Sequence, residues 1–264
     1  CAQPVLWRVK TAYEKLCFGR MTGELFARKD PPSPMEIHSK NYPVYPATFA
    51  TMNHANRVLM TCFLEFGASS FPEFALLSQE EQWSMAKKFF YTFRMLDNSY
   101  RARTYFSEVP NRVFGAYTLY ISEDTVENFF DDFTDERGNV EEAKKMMAKV
   151  CETRPRKGRA ILEKMNPNEQ EFLALITLLF WATREAPIRE EVTQLGERYR
   201  QEIMKELHIF YREQQKVEDY AARLGELLMF LSVFDRGHEI KQHFEMLRLL
   251  DIFPEDNFTY QLQK

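Results

Sequence analysis

The chain has 264 residues, 45% hydrophobic, 28% charged and 14% aromatic, with 39 acids against 35 bases for a net charge of −4. That length suits one large domain with a sizeable core, and the lack of a basic excess excludes a module whose own affinity rests on nucleic-acid phosphates. Nine Gly and twelve Pro exclude low-complexity linkers and a turn-rich all-β fold, while four scattered cysteines (Cys1, Cys17, Cys62 and Cys151) exclude a disulfide framework and zinc-ribbon spacing.

Cys1 in place of an initiator Met predicts a piece of a longer protein. The longest apolar run, Phe172–Ala182, is too short to span a bilayer, and there is no secretory h-region. Reduced thiols in a nuclear or cytosolic protein follow, and the Asn257-Phe258-Thr259 sequon is then a chance match.

In chain order, Val5, Val9, Tyr13 and Leu16 keep a helical period that Gly19 and Gly23 are expected to end. Five prolines between Pro31 and Pro46 predict a loop. Residues 47–66 read as a long amphipathic helix with Met52, Ala55, Leu59, Met60 and Phe63 on one face. After a connector, Ser78 and Glu81 form a capping-box pattern ahead of a helix over 80–100 striped by Phe89, Phe93 and Leu96.

Residues 112–122, aromatic and β-branched around one Gly, predict a small hairpin. Helices are expected over 126–133, over 140–151 and briefly around Ile161, with Arg154–Arg159 as a turn. Three more follow, over 168–182, 190–214 and 219–253, and then a short tail over 254–264. No internal repeat or domain boundary is visible, because every element carries an apolar face that needs the others. The expectation is one all-α domain across 1–264.

The sharpest enzyme-like match is Asp131-Asp132-Phe133-Thr134-Asp135. A DDxxD on a helix sets carboxylates one turn apart, able to hold magnesium ions against a diphosphate as in all-α terpene and prenyl synthases. Against that alternative, no second metal motif follows, and Glu136–Asn139 reads as a helix end with solvated acids. No two histidines stand at i, i+4, and no nucleophile elbow or phosphate loop occurs, so no metal, cofactor or catalytic residue is assigned. Two LxxLL matches, 175–179 and 224–228, fit the core stripes of long helices better than partner-binding segments. The cluster of Arg154, Arg156, Lys157 and Arg159 reads as a solvated turn rather than a localisation signal.

The segment from Phe71 to Lys87 resembles the signature of nuclear receptor ligand-binding domains. Phe71, Pro72, Phe74, Leu77, Gln82 and Lys87 match it, with Glu81 in place of Asp and Met85-Ala86 in place of Leu-Leu. The helix order over nearly the whole chain is similar too, most like the divergent nematode branch. The resemblance implies a three-layer helical sandwich with one β-hairpin and a lipophilic pocket, expected here from Met52, Leu59, Met60, Phe63, Phe89, Phe93 and Leu96; the same residues could instead fill the core of an orphan scaffold. It implies no enzyme activity but ligand-controlled transcription in the nucleus. Partners would be coactivator or corepressor peptides at a groove with Ser69, Gln82 and Lys87, and a dimer partner along 219–253. Two departures stand out. Ser69 replaces the family's clamp lysine, and the tail has no clean activation-helix pattern. The family's zinc DNA-binding domain is absent from this chain.

Overall fold

The computed structural model describes residues 3–39, 41–109, 111–136, 138–182, 189–234, 242, 245–253 and 257–262. Its helices are α1 (Val5–Phe26), α2 (Pro34–Ile37), α3 (Phe49–Ser70), α4 (Gln79–Tyr105), α5 (Glu123–Val126), α6 (Val140–Met165), α7 (Glu169–Phe180), α8 (Glu190–Ile209) and α9 (Ala221–Phe234). A terminal turn of helix follows at Phe258–Gln261. The chain divides into two compact units, the first from 1–16, 62–93 and 165–236, the second from 17–61, 94–164 and 237–264. The division falls within α1, α3 and α4.

The first unit is built on aromatic packing. Phe63, Phe66, Phe71, Phe74, Phe89, Phe93, Phe172, Trp181 and Tyr199 are all buried. Helix α7 is enclosed on every side, with each residue from Glu171 to Phe180 buried, the mark of a central core helix. The LxxLL match at 175–179 is therefore core. Asn168 caps α7 reciprocally with Glu171. The other carboxylate contacts of Glu171 come from Arg223 (Nε 2.7 Å, Nη2 2.7 Å) and the Tyr211 hydroxyl (2.6 Å). Tyr211 reaches it from a π-helical turn, Phe210–Gln214, that continues α8 to the predicted end.

Burial alone would raise the Glu171 carboxyl, but the Arg223 and Tyr211 hydrogen bonds outweigh it and hold the group below its ordinary value. Its contribution to stability is thus present above the unfolded carboxylate pKa and is lost as pH falls through the lower folded value. The melting temperature is expected to fall more steeply below about pH 4.3 in the native chain than in Glu171→Gln. Parallel slopes would show that the pair does not carry this term.

The second unit holds a small sheet of order β1-β3-β2, formed by Tyr45–Pro46, Leu119–Ile121 and Val113–Phe114. The predicted hairpin is present as antiparallel β2 and β3. The proline-rich loop adds a parallel strand, pairing Tyr45 with Leu119 and Pro46 with Tyr120; Pro46 sits at an edge, where its missing N–H is tolerated. The same loop contains α2, capped by Ser33 and Glu36.

Four predicted boundaries are corrected. Helix α1 runs through Gly19 and Gly23, and at Gly23 a Cβ would come within 2.8 Å of Val58, so the glycine admits a close approach of α3 rather than ending α1. The expected turn at 154–159 is helical, within one continuous α6. Arg159 anchors it, buried, with Nη2 donating to the Phe106 carbonyl at 3.0 Å and Nε to Glu163 at 2.7 Å. The expected helix over 126–133 is only α5 followed by turns, because this segment caps α3: Phe49 N–H donates to the Phe129 carbonyl at 2.7 Å. The helix predicted over 219–253 is not continuous to 253. Asp251 adopts φ 54°, and Ile252 N–H reaches back to the Leu247 carbonyl at 3.1 Å, a Schellman stop. Residues 235–241 and 243–244 of that stretch lie outside the described residues.

Candidate functional site

The signature segment links α3 to α4 in the first unit, and its residues hold one tight turn. Phe71 is fully buried, stacked on Phe180 at 4.9 Å and edge-on to Trp181 and Tyr199 at 5.3 and 4.8 Å. Phe74, in the 3-10 turn Phe74–Leu76, lies directly over Gly67, where a Cβ would meet its ring at 2.6 Å. Only glycine permits that approach. Pro72 is exposed, in the turn itself, and Leu77 is half-buried.

The polar signature residues bind backbone. Gln82 Nε2 donates to the Phe74 and Leu77 carbonyls, both at 3.1 Å. Ser78 and Glu81 make the predicted capping box, and Arg189 closes on Glu81 with two bonds of 2.6 and 2.9 Å. The Arg189 hydrogen bond, followed by the Ser78 backbone N–H, brings the Glu81 carboxyl down to about 2. At the start of the turn, Glu73 accepts from Arg198 and Tyr199; burial and then that bond push the Tyr199 hydroxyl up to about 12.

At the end of α3, Ser69 donates to Glu65 Oε1 at 2.9 Å. A hydroxyl tied to a carboxylate therefore stands where the resemblance implies a cation. Lys87 is half-buried on α4. Of the expected pocket residues, Phe63, Phe89 and Phe93 meet in the first unit, with ring centroids 4.8 to 5.2 Å apart. Met52 joins the apolar cluster of the second unit with Leu119, Phe129 and Ile252. Leu59, Met60 and Leu96 are buried in the second unit.

The DDxxD segment is a turn and irregular chain, not a helix. The Asp132 carboxylate accepts from Ala50 N–H at 3.2 and 3.3 Å, at the N-terminus of α3. The one-turn carboxylate spacing required by a magnesium-dependent synthase is absent, and the synthase alternative falls.

One constellation is not foreseen from sequence. In the second unit Asp97, fully buried, accepts from Arg20 at 2.8 Å and Arg101 at 3.1 Å. Burial disfavours the Arg20 charge, but Asp97 overrides this and raises its pKa. Arg101 also donates to Tyr42 Oη and to the Tyr117 carbonyl, both at 3.0 Å, and Glu24 accepts from Thr118 N at 2.7 Å. Arg94 and Asn98 bond the Gly115 and Phe114 carbonyls. The available signal was polar spacing: Arg94, Asp97, Asn98 and Arg101 recur at i, i+3, i+4 and i+7 on one face of α4.

Three kinds of likeness bear on this arrangement. The model of the ligand-binding domain of nuclear hormone receptor matches residues 40–253. Caenorhabditis elegans nuclear hormone receptor family member nhr-53 is 25% identical over 98% of this chain and 68% of its own length. Family member nhr-12 of the same nematode is 24% identical over 72% of this chain and 42% of its length, and nhr-57 is 27% identical over 75% and 53%. The chain thus spans about half the length of several of these relatives. Among solved structures, the ultraspiracle ligand binding domain from Drosophila melanogaster superposes with a TM-score of 0.58 at 14% identity, over 98% of this chain and 96% of that one. That fold is a helical sandwich. No helix among the described residues is long and apolar enough to cross a membrane.

Proposed function

Because the chain belongs to the family of nuclear hormone receptor ligand-binding domains, we propose that it is the regulatory module of a nuclear transcription factor and performs no chemistry of its own. The family match over residues 40–253 carries this reading, and the interlocked signature turn supports it. In this reading the whole chain, 1–264, works as one ligand-binding domain. It takes a lipophilic small molecule and needs no cofactor. Ligand shifts the populations of conformations that coactivator or corepressor peptides distinguish. DNA is reached through a domain outside this chain, and a homo- or heterodimer forms along 219–253.

The proposed ligand contacts are Met52, Leu59, Met60, Phe63, Phe89, Phe93 and Leu96, with Ser69, Gln82 and Lys87 for the coregulator. Direct ring contact among Phe63, Phe89 and Phe93 favours a second reading, a scaffold whose interior is filled and which acts through protein partners alone. Dansyl-undecanoate, a fluorescent fatty acid, separates the two. Saturable binding at one per chain, abolished by Leu59→Trp and by Phe93→Trp while the far-UV spectrum is kept, is the expected result. Binding unchanged in both variants would remove the assigned contacts, and no binding at all would favour the filled scaffold.

Ser69 supplies a second test. With a hydroxyl bonded to Glu65 in place of a clamp lysine, an LxxLL peptide lacks a cation for its C-terminal carbonyls. Ser69→Lys is expected to tighten such a peptide by roughly tenfold, the worth of one charge-assisted hydrogen bond. An unchanged affinity in a fluorescence-polarisation titration would place the coregulator elsewhere.

A further inference from the structure

We propose that Ser33 is a phosphorylation site for a proline-directed serine/threonine kinase, with ATP as the phosphoryl donor. The site does not depend on the ligand or coregulator contacts assigned above. In Pro31-Pro32-Ser33-Pro34 the hydroxyl stands directly before one proline and two residues after another. Of the twelve prolines in the chain, Pro34 alone follows a Ser or Thr, so an enzyme of this class meets one acceptor. Glu36 stands three residues beyond it, which suits a kinase that reads the prolines and not one that needs a base there.

A kinase takes its acceptor as extended chain, and a pocket shaped for proline after the acceptor leaves the N–H of any other residue buried without a partner. Pro34 has no N–H to strand. It also restricts the residue before it to extended backbone, and Ser33 stands at φ −64° and ψ 154°. Pro31, Ser33 and Pro34 are exposed, and residues 31–33 lie outside any helix or strand. The hydroxyl is therefore presented close to the conformation a kinase binds, at little ordering cost. On the C-terminal side only the single turn of α2, Pro34–Ile37, has to open, and one turn of helix is marginal by itself.

In the transfer, Ser33 Oγ bonds to the γ-phosphorus of ATP and the bond from that phosphorus to the bridging oxygen breaks. ADP leaves with the electron pair, and the hydroxyl proton passes to the kinase's catalytic base. Before modification, the Ser33 backbone N–H and Oγ both donate to Glu36 Oε2, each at 2.8 Å. The backbone bond first, and then the hydroxyl bond, hold the Glu36 carboxyl below its ordinary value. Phosphorylation removes the hydroxyl donor and sets a charge of about −1.5 to −2 beside the carboxylate. Glu36 then leaves the cap and its pKa rises, because a lost donor and a like charge act in the same direction. Ile37 is buried with Met21 and Leu25, so the turn stays attached and the modification changes surface charge, not the core.

The test incubates the whole chain with ATP and a purified mitogen-activated protein kinase, with a synthetic peptide of residues 29–39 as the control for kinase activity. Peptide mass spectrometry is expected to find one phosphate, at Ser33, and none in Ser33→Ala. Pro34→Ala should slow incorporation at least roughly tenfold, as one buried N–H left unpaired requires. Glu36→Gln loses the carboxylate but keeps the prolines, and should be modified at the native rate or faster. By carbon NMR, the Glu36 carboxyl should titrate higher in the phosphorylated chain than in the unmodified one. Three results would each overturn the proposal: no incorporation into the native chain while the peptide is modified, phosphate on another residue with Ser33 untouched, or Pro34→Ala modified at the native rate. An unmoved Glu36 titration would overturn the release of the cap.

Discussion

Asp97→Leu is expected to cost about 3–5 kcal/mol, because it strands buried positive charge. Asp97 is fully buried, Arg20 is 1% exposed, and the carboxylate is bonded to both Arg20 and Arg101. Removing the acid takes away the larger of the two carboxylate attractions on Arg20, leaving the weaker one from Glu24, and Arg101 then loses the group that orients it toward Tyr42 and the Tyr117 carbonyl. Arg101→Met should cost less. That side chain is more exposed, and methionine keeps much of the packing between Phe114 and Tyr117, where the guanidinium lies 4.0 and 4.3 Å from the ring centroids. Urea denaturation of the two variants decides it. Equal, small losses would mean that the charges are compensated in another way.

The second large effect is expected at Phe71. Its ring contacts Phe66, Phe180, Trp181 and Tyr199, so Phe71→Ala opens a cavity in the aromatic core at a cost of about 3–5 kcal/mol. Leu76, three residues into the same turn from Glu73, is 84% exposed, and Leu76→Ala should stay within about 0.5 kcal/mol. The contrast tests whether the signature works by packing. A large loss at Leu76, or a small one at Phe71, would show that the turn is held by something other than its buried rings.

The Phe71 turn and the Asp97 network differ in how legible they are in the chain alone. Phe71, Phe74, Gln82 and the Ser78–Glu81 box are local features at fixed spacing, and both the turn and the α4 start follow from them. The apolar stripe of α7 is equally plain, because a run of ten buried residues has few other homes. Helix ends were harder. Gly23 looks like a breaker in one dimension, yet it is a point where Val58 comes too close for a side chain, a fact that exists only after packing. The Arg154–Arg159 run looks like a solvated turn until Arg159 is seen reaching the Phe106 carbonyl. The Asp97 network was hidden for the same reason: its arginines come from α1 and α4, 77 residues apart in the case of Arg20 and Asp97. Conversely, DDxxD had the right letters and the wrong backbone.

The central claim, that this is a ligand-binding module, is tested most directly by native mass spectrometry of the purified chain, with mass analysis of its organic extract. Recovery is compared before and after exchange against dansyl-undecanoate. The account predicts a lipophilic molecule, whether co-purified or the added fatty acid, held at one per chain and released on denaturation. A mass equal to the bare polypeptide under both conditions would contradict it, and would leave the filled scaffold as the description of this domain.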